Sequence, residues 1–219
     1  MINGKLIEQI QHAKLLGVTL DCHLTWEKHI ENIWSIVNRR LSLLRRIKPF
    51  LNHHCSLSFF NSCIHNLFIY CSSVWGNCSN YLLSRLLLLQ KRAALLLLDA
   101  DYSVSLFSKL KWLPIFDLIK LRKLVLLFTV LNNPDAPLCL QRKFNFLSPV
   151  RSTGLRTRAC AFNLQVPYTR SNSGKRTFAY SAATLFNRLD TDLKQIACAS
   201  PSSIIYSSRL NTFKHKLFI

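Results

Sequence analysis

The chain has 219 residues, of which 49% are apolar and only five are glycine, so it can build a core and is neither loop-dominated nor disordered. Lysine and arginine outnumber aspartate and glutamate by 29 to 10, a formal charge of +19 that points to a polyanionic partner, nucleic acid or an anionic membrane surface. No charged-then-apolar signal segment opens the sequence, so the eight cysteines read as reduced thiols of an intracellular protein rather than a disulfide framework.

In chain order, Leu16, Val18 and Leu20 alternate with small or polar residues before Asp21 and predict a short strand. Thr25 is the expected N-cap of a helix running to Lys48 and stopped by Pro49, with Glu27 in its first turn. Ile30, Ile33, Val37, Leu41 and Leu44 keep a spacing of three or four, which makes one buried stripe. At about 100° per residue, Lys28, Arg39 and Arg46 fall together on the opposite side. A second helix is expected over Cys55–Val74 and a third, central and leucine-rich, from Tyr81 to Leu98, with Arg85 and Arg92 sharing one polar strip. A short helix at Leu106–Lys111 and a longer one from Pro114 to Leu131 follow, ended by the Asn132–Pro137 cluster.

Beyond that cluster, Phe162–Val166 and Arg176–Tyr180 read as two β segments around the turn signal Ser171-Asn-Ser-Gly174. Helices near Ala182–Leu189 and Arg209–Phe218 close the chain. The expected class is mainly α: a short residual strand with linker (1–24), a helical bundle (25–135) and a small, basic α+β domain with a β-hairpin (136–219). The longest apolar run, Leu82–Leu98, is interrupted by Arg85, Gln90, Lys91 and Arg92, so no membrane-spanning helix is expected.

Catalytic signatures fail one after another. Cys55, Cys63, Cys71 and Cys78 lie seven or eight apart with no Cys-x-x-Cys pair, and zinc sites need such tight spacing, so these read as small buried residues of a helix. No Gly-x-Ser-x-Gly or His-Glu-x-x-His occurs. Gly174-Lys175 lacks the Ser or Thr of a phosphate loop, since Arg176 follows, and position 169 is Thr rather than Gly. Two-metal polymerisation needs paired carboxylates, and no two acidic residues are adjacent anywhere.

Charge placement is more informative. No acid lies between Glu31 and Asp99, where Arg39, Arg40, Arg45, Arg46, Lys48, Arg85 and Arg92 do, and a second acid-free stretch holds Arg151, Arg156, Arg158, Lys175 and Arg176. With Lys28, these are the candidate phosphate contacts, each able to release a counterion. Phe162, Tyr168 and Phe178, interleaved with the second set, are candidate stacking groups for RNA.

Six short words stand in a fixed order: Lys14-Leu-Leu-Gly-Val-Thr-Leu-Asp21, Tyr70-Cys-Ser-Ser-Val-Trp-Gly76, Leu89-Gln-Lys-Arg-Ala-Ala94, Leu110-Lys-Trp-Leu-Pro114, Arg151-Ser-Thr-Gly154 and Gly174-Lys-Arg-Thr-Phe-Ala-Tyr-Ser181, the last followed by Leu185-Phe-Asn187. In that order and spacing the chain, from Lys14 onward, resembles the tail of a non-LTR (jockey-like, LINE-type) retrotransposon reverse transcriptase, the part after its catalytic palm. The resemblance implies a stray palm strand, a thumb that holds a primer–template duplex by its backbone, and aromatic core anchors at Trp26, Trp75 and Trp112. It also implies that the catalytic acids and their Mg²⁺ belong to a palm upstream of Met1, leaving no cofactor here and no polymerase activity in this chain alone. Where the family commonly reads Leu-Trp-Asn-x-Leu-Pro, the chain has Leu185-Phe-Asn-Arg-Leu-Asp190, a departure that suggests drift. The expected partner is RNA or an RNA–DNA duplex, bound without regard to sequence, with no small-molecule substrate. The alternatives are a translated pseudogene remnant without a selected role and a basic protein lying on anionic lipid, for which the polar second helix is poorly suited.

Overall fold

A computed structural model of the chain describes residues 10–99, 106–147, 162–198 and 211–214. The chain divides into two compact units, Met1–Phe116 and Asp117–Ile219.

The first unit starts with a hairpin. Strands β1 (His12–Leu15) and β2 (Val18–Asp21) pair antiparallel, His12 opposite Asp21 and Leu15 opposite Val18. The expected short strand is therefore the second half of a two-stranded ribbon. Its partner escaped notice because β1 buries no face and so carries no alternation. The two-residue turn holds Leu16 at φ 46° and Gly17 at φ 82°, the left-handed pair that a tight hairpin demands.

Asp21 then organises the entry into helix α1 (Glu27–Ile47). Its carboxylate accepts from the backbone N–H of His23 (3.1 Å), Thr25 (2.9 Å) and Trp26 (2.8 Å). With those donors satisfied, Thr25 is not the N-cap; the position falls to Trp26, left-handed at φ 68° and with no side-chain cap of its own. The apolar stripe of α1 is buried as its spacing requires, with His29 added to it. It packs on α5 (Asn80–Leu98), which Ser79 caps by accepting from the Leu82 N–H, and which buries Leu82, Leu83, Leu86, Leu89 and Leu97.

The expected helix over 55–74 is broken into α2 (His53–Phe59), a π-helical turn (Phe60–His65), α3 (Asn66–Ile69), a left-handed Cys71 and α4 (Ser72–Trp75). Polar side chains turned back on the helix explain the break. Ser62 donates its hydroxyl to the Ser58 and Phe59 carbonyls, and Asn66 its amide to the Ser62 carbonyl, in competition with the helical ladder. The Trp75 indole, fully buried, donates to the Tyr70 carbonyl freed at the break (2.7 Å), and the Tyr70 hydroxyl donates to the Leu16 carbonyl in the hairpin turn (2.6 Å). Of the four cysteines expected to be buried here only Cys78 is; Cys55 is exposed and Cys63 and Cys71 are half-buried. Helix α6 (Leu106–Leu110) leads to Trp112, which stacks on Phe60 at 4.2 Å, while the buried Gln90 donates to the Leu113 carbonyl (2.7 Å).

The second unit takes in most of α7 (Ile115–Asn132), then α8 (Leu138–Gln141), α9 (Asn172–Lys175), α10 (Phe178–Asn187) and α11 (Thr191–Cys198). Its core gathers Leu127, Phe128, Phe144, Leu164, Phe186 and Phe213. The expected β-hairpin is absent. Residues 162–166 make one isolated bridge, Leu164 to Phe146, and residues 176–180 turn into the start of α10, capped by the Thr177 hydroxyl. Phe178 and Tyr180 mimic strand alternation, but buried Ala182, Ala183 and Phe186 show the helical period. Phe186, where the resemblance expects Trp, is 1% exposed, so the smaller ring still fills its place. Asn187 accepts from the Leu164 N–H (2.8 Å) and donates to the Leu164 carbonyl (2.9 Å), taking the part of a neighbouring strand. Lys194, also buried, donates to the Asn187 carbonyl (2.8 Å) and the Asn163 side chain (3.1 Å).

Candidate nucleic-acid interface

The basic residues of α1 separate into those that the fold uses and those it leaves to solvent. Arg40 is half-buried and donates to the Cys63 carbonyl in the π-helical turn. Lys48 donates to the Leu96 carbonyl and pairs with Asp99, closing the C-terminal end of α5, where orphan carbonyls favour a cation. Both cations are thus partly committed to the fold, each donating to a backbone carbonyl.

Lys28 is exposed but pairs with Glu31 at 3.5 Å. Arg39, Arg45 and Arg46 are exposed, and none is in an ion pair among the described residues. The arginine edge of α1 therefore faces outward.

A second basic feature forms where α5 passes α1. The guanidinium carbons of Arg85 and Arg92 lie 5.1 and 5.7 Å from the centre of the Trp34 ring, within reach of a cation–π attraction. Being two turns apart on α5, both can meet one indole from the neighbouring helix. Arg92 also joins Arg45, Asn38 and Ser42 around a cavity of about 340 Å³ along the two helices. Trp34 is the residue that sequence reasoning missed. Its signal was its position, one step off the buried stripe and level with Asn38 and Arg45 on the helical wheel. A guanidinium held against an indole is oriented without being neutralised, and its remaining N–H groups are free to meet phosphate oxygens.

In the second unit Lys175 is exposed at the end of α9 and Arg176 is half-buried beside it. Phe178 is packed edge-on against Phe144 at 5.8 Å and Phe162 is half-buried, whereas Tyr168 is 85% exposed, the one ring of the three open for stacking. Arg151, Arg156 and Arg158 lie outside the described residues.

Aligned with curated proteins, the chain is 26% identical over 106 residues to the probable RNA-directed DNA polymerase from transposon BS of Drosophila melanogaster, covering 47% of this chain and 12% of that protein. It is 31% identical over 94 residues to the RNA-directed DNA polymerase from mobile element jockey of the same fly, covering 42% of this chain and 10% of that protein. These matches support an origin related to the non-LTR reverse transcriptases. The chain spans only about a tenth of the length of these relatives. No family model and no solved structure matches it.

The placement of the motif residues fits a relationship carried by packing. Asp21, Tyr70, Trp75, Gln90, Trp112 and Asn187 each make one of the contacts described above, and each contact ties two segments of the chain together.

Proposed function

We propose that the chain is the thumb and post-thumb portion of a non-LTR RNA-directed DNA polymerase, and that its own activity is non-catalytic binding of RNA or an RNA–DNA duplex by the sugar-phosphate backbone. The observation that carries this reading is the set of outward arginines on α1 and α5. Arg39, Arg45, Arg46 and Arg92 are exposed, Arg85 is half-buried, and among the described residues no carboxylate pairs with any of them. Backbone contact of this kind reads charge and shape, not base edges, so it is sequence-independent. Metal ions would belong to the palm that performs the chemistry, and the partner of this chain is RNA or an RNA–DNA duplex. Among the described residues no helix is long and apolar enough to cross a membrane.

Fluorescence anisotropy of a labelled RNA–DNA duplex tests the reading. Four uncommitted guanidiniums, each meeting a phosphate, give a log–log salt slope of about −3.6 at ~0.9 per contact. Affinity then falls by about two decades between 50 and 200 mM salt. An affinity that ignores salt, or that discriminates strongly between unrelated sequences, overturns it.

A further inference from the structure

We infer that a second, separate site, between the hairpin, α1 and α3, accepts a single nucleotide, with its phosphate at Lys14 and Arg39 and its base against Ile36, Leu67 and Tyr70. A cavity of about 390 Å³ opens there, within the size range of small-molecule pockets. Its two charged lining residues are Lys14 and Arg39, and no acid lines it. Neither cation is in an ion pair among the described residues. The remaining wall offers flat apolar surface from Ile36, Leu67 and the Tyr70 ring. A cationic end and an apolar wall match the two ends of a nucleoside monophosphate.

His29 supplies an independent observation. It lines this cavity and is only 6% exposed. Its Nδ1 accepts from the Thr19 N–H at 3.3 Å, which places the ring proton on Nε2. That Nε2–H has no hydrogen-bond acceptor among the described residues, as is also true of the buried Trp26 Nε1, Ser72 Oγ, Gln90 Oε1 and Thr169 Oγ1, which have no hydrogen-bond partner. Burial holds the imidazole below its ordinary pKa, so it remains a neutral donor at physiological pH. That Nε2 is enclosed by protein, beside the Trp75 ring, so a base carbonyl or phosphate oxygen reaches it only when the cavity wall shifts on binding. The site shares Arg39, and no other residue, with the strand-binding arginines.

The test titrates the full chain, at constant ionic strength, with uridine and adenosine 5′-monophosphates, the two nucleosides, and inorganic phosphate. Binding is followed by calorimetry and by the histidine side-chain proton–nitrogen NMR spectrum, with the His29 signal assigned by its loss in His29→Gln. The monophosphates bind at least about tenfold more tightly than nucleoside or phosphate alone, and Lys14→Ala and Arg39→Ala each weaken them by about tenfold or more. The His29 Nε2 proton moves on saturation, while Arg45→Ala leaves the affinity unchanged. Competition by an oligonucleotide with a 5′-phosphate, but not by one with a 5′-hydroxyl, identifies a strand end as the source of the nucleotide; no competition by either identifies a free one. Nucleosides binding as tightly as monophosphates, an unmoved His29 proton, or an equal loss in Arg45→Ala overturns the inference. Because Arg45→Ala weakens duplex binding only under the strand-binding reading, the two proposals fail separately.

Discussion

Arg40 and Arg46 are alike in sequence and opposite in structure, so replacing each with alanine separates stability from binding. Arg40 donates from a half-buried position to the Cys63 carbonyl, and alanine there removes that hydrogen bond. A hydrogen bond from a charged donor contributes about 1.5–3 kcal/mol, and a value near the low end suits a site that water partly reaches. About 2 kcal/mol corresponds to a fall of about 4–8 °C in Tm for a chain of this size. Arg46 is exposed and is in no ion pair among the described residues, so Arg46→Ala changes stability by less than about 0.5 kcal/mol. In duplex binding the order reverses: Arg46→Ala flattens the salt slope by about 0.9, whereas Arg40→Ala leaves it unchanged. Calorimetric melting and anisotropy across salt measure both quantities on the same preparations. Were Arg40→Ala to lose affinity at full stability, or Arg46→Ala to melt early with its slope intact, the assignment of the two arginines would be wrong.

Burial raises the Asp21 carboxyl, but the N–H groups of Thr25, Trp26 and His23 and the Thr25 hydroxyl outweigh it and hold the pKa below the ordinary 3.8. The unfolded chain therefore protonates first as pH falls. The stabilisation is complete above 3.8 and disappears as pH drops through the folded value, so the advantage of wild type over Asp21→Asn in urea melts shrinks at acid pH. Burial of His29 lowers its pKa from 6.5, so its contribution is whole above 6.5 and falls away below it. Urea midpoints measured from pH 7.5 down to pH 5 decline in wild type, with a smaller slope in His29→Gln. Asn187→Ala removes both hydrogen bonds to Leu164 and costs about 1–3 kcal/mol, with amide exchange at Leu164 accelerating before that of the α7 core. Phe186→Ala empties a fully enclosed ring position and costs about 3–5 kcal/mol by thermal melting, whereas Phe186→Leu costs less.

Long helices were legible wherever packing is one-sided. The three-and-four spacing of Ile30 to Leu44 gave α1 to within two residues, and the leucines of α5 gave its centrality. What the periodicity hid was local. Ser62 and Asn66 fit a helix by pattern, yet they return hydrogen bonds to their own carbonyls and break it. Phe178 and Tyr180 satisfied a strand pattern because two aromatic residues fix no period until the alanines behind them are known to be buried. The hairpin was half read because a strand exposed on both faces has no pattern to read. At the interface, sequence found the charges but not their partners. Nothing near Arg40 or Lys48 announces that carbonyls 23 and 48 residues away will claim them. Trp34 looked like any amphipathic aromatic until Arg85 and Arg92 were seen beside it.

The phenol of Tyr70 has a mechanical meaning. It fastens the bend of the ribbon to the interrupted helix, whose next carbonyl is fastened in turn by Trp75 deep in the bundle. Two isolated strands of four residues have little cohesion of their own. Through this pair of fasteners, a push on the ribbon's tip reaches an indole sealed from water. Trp75 emission is thus a built-in gauge of whatever grips the tip.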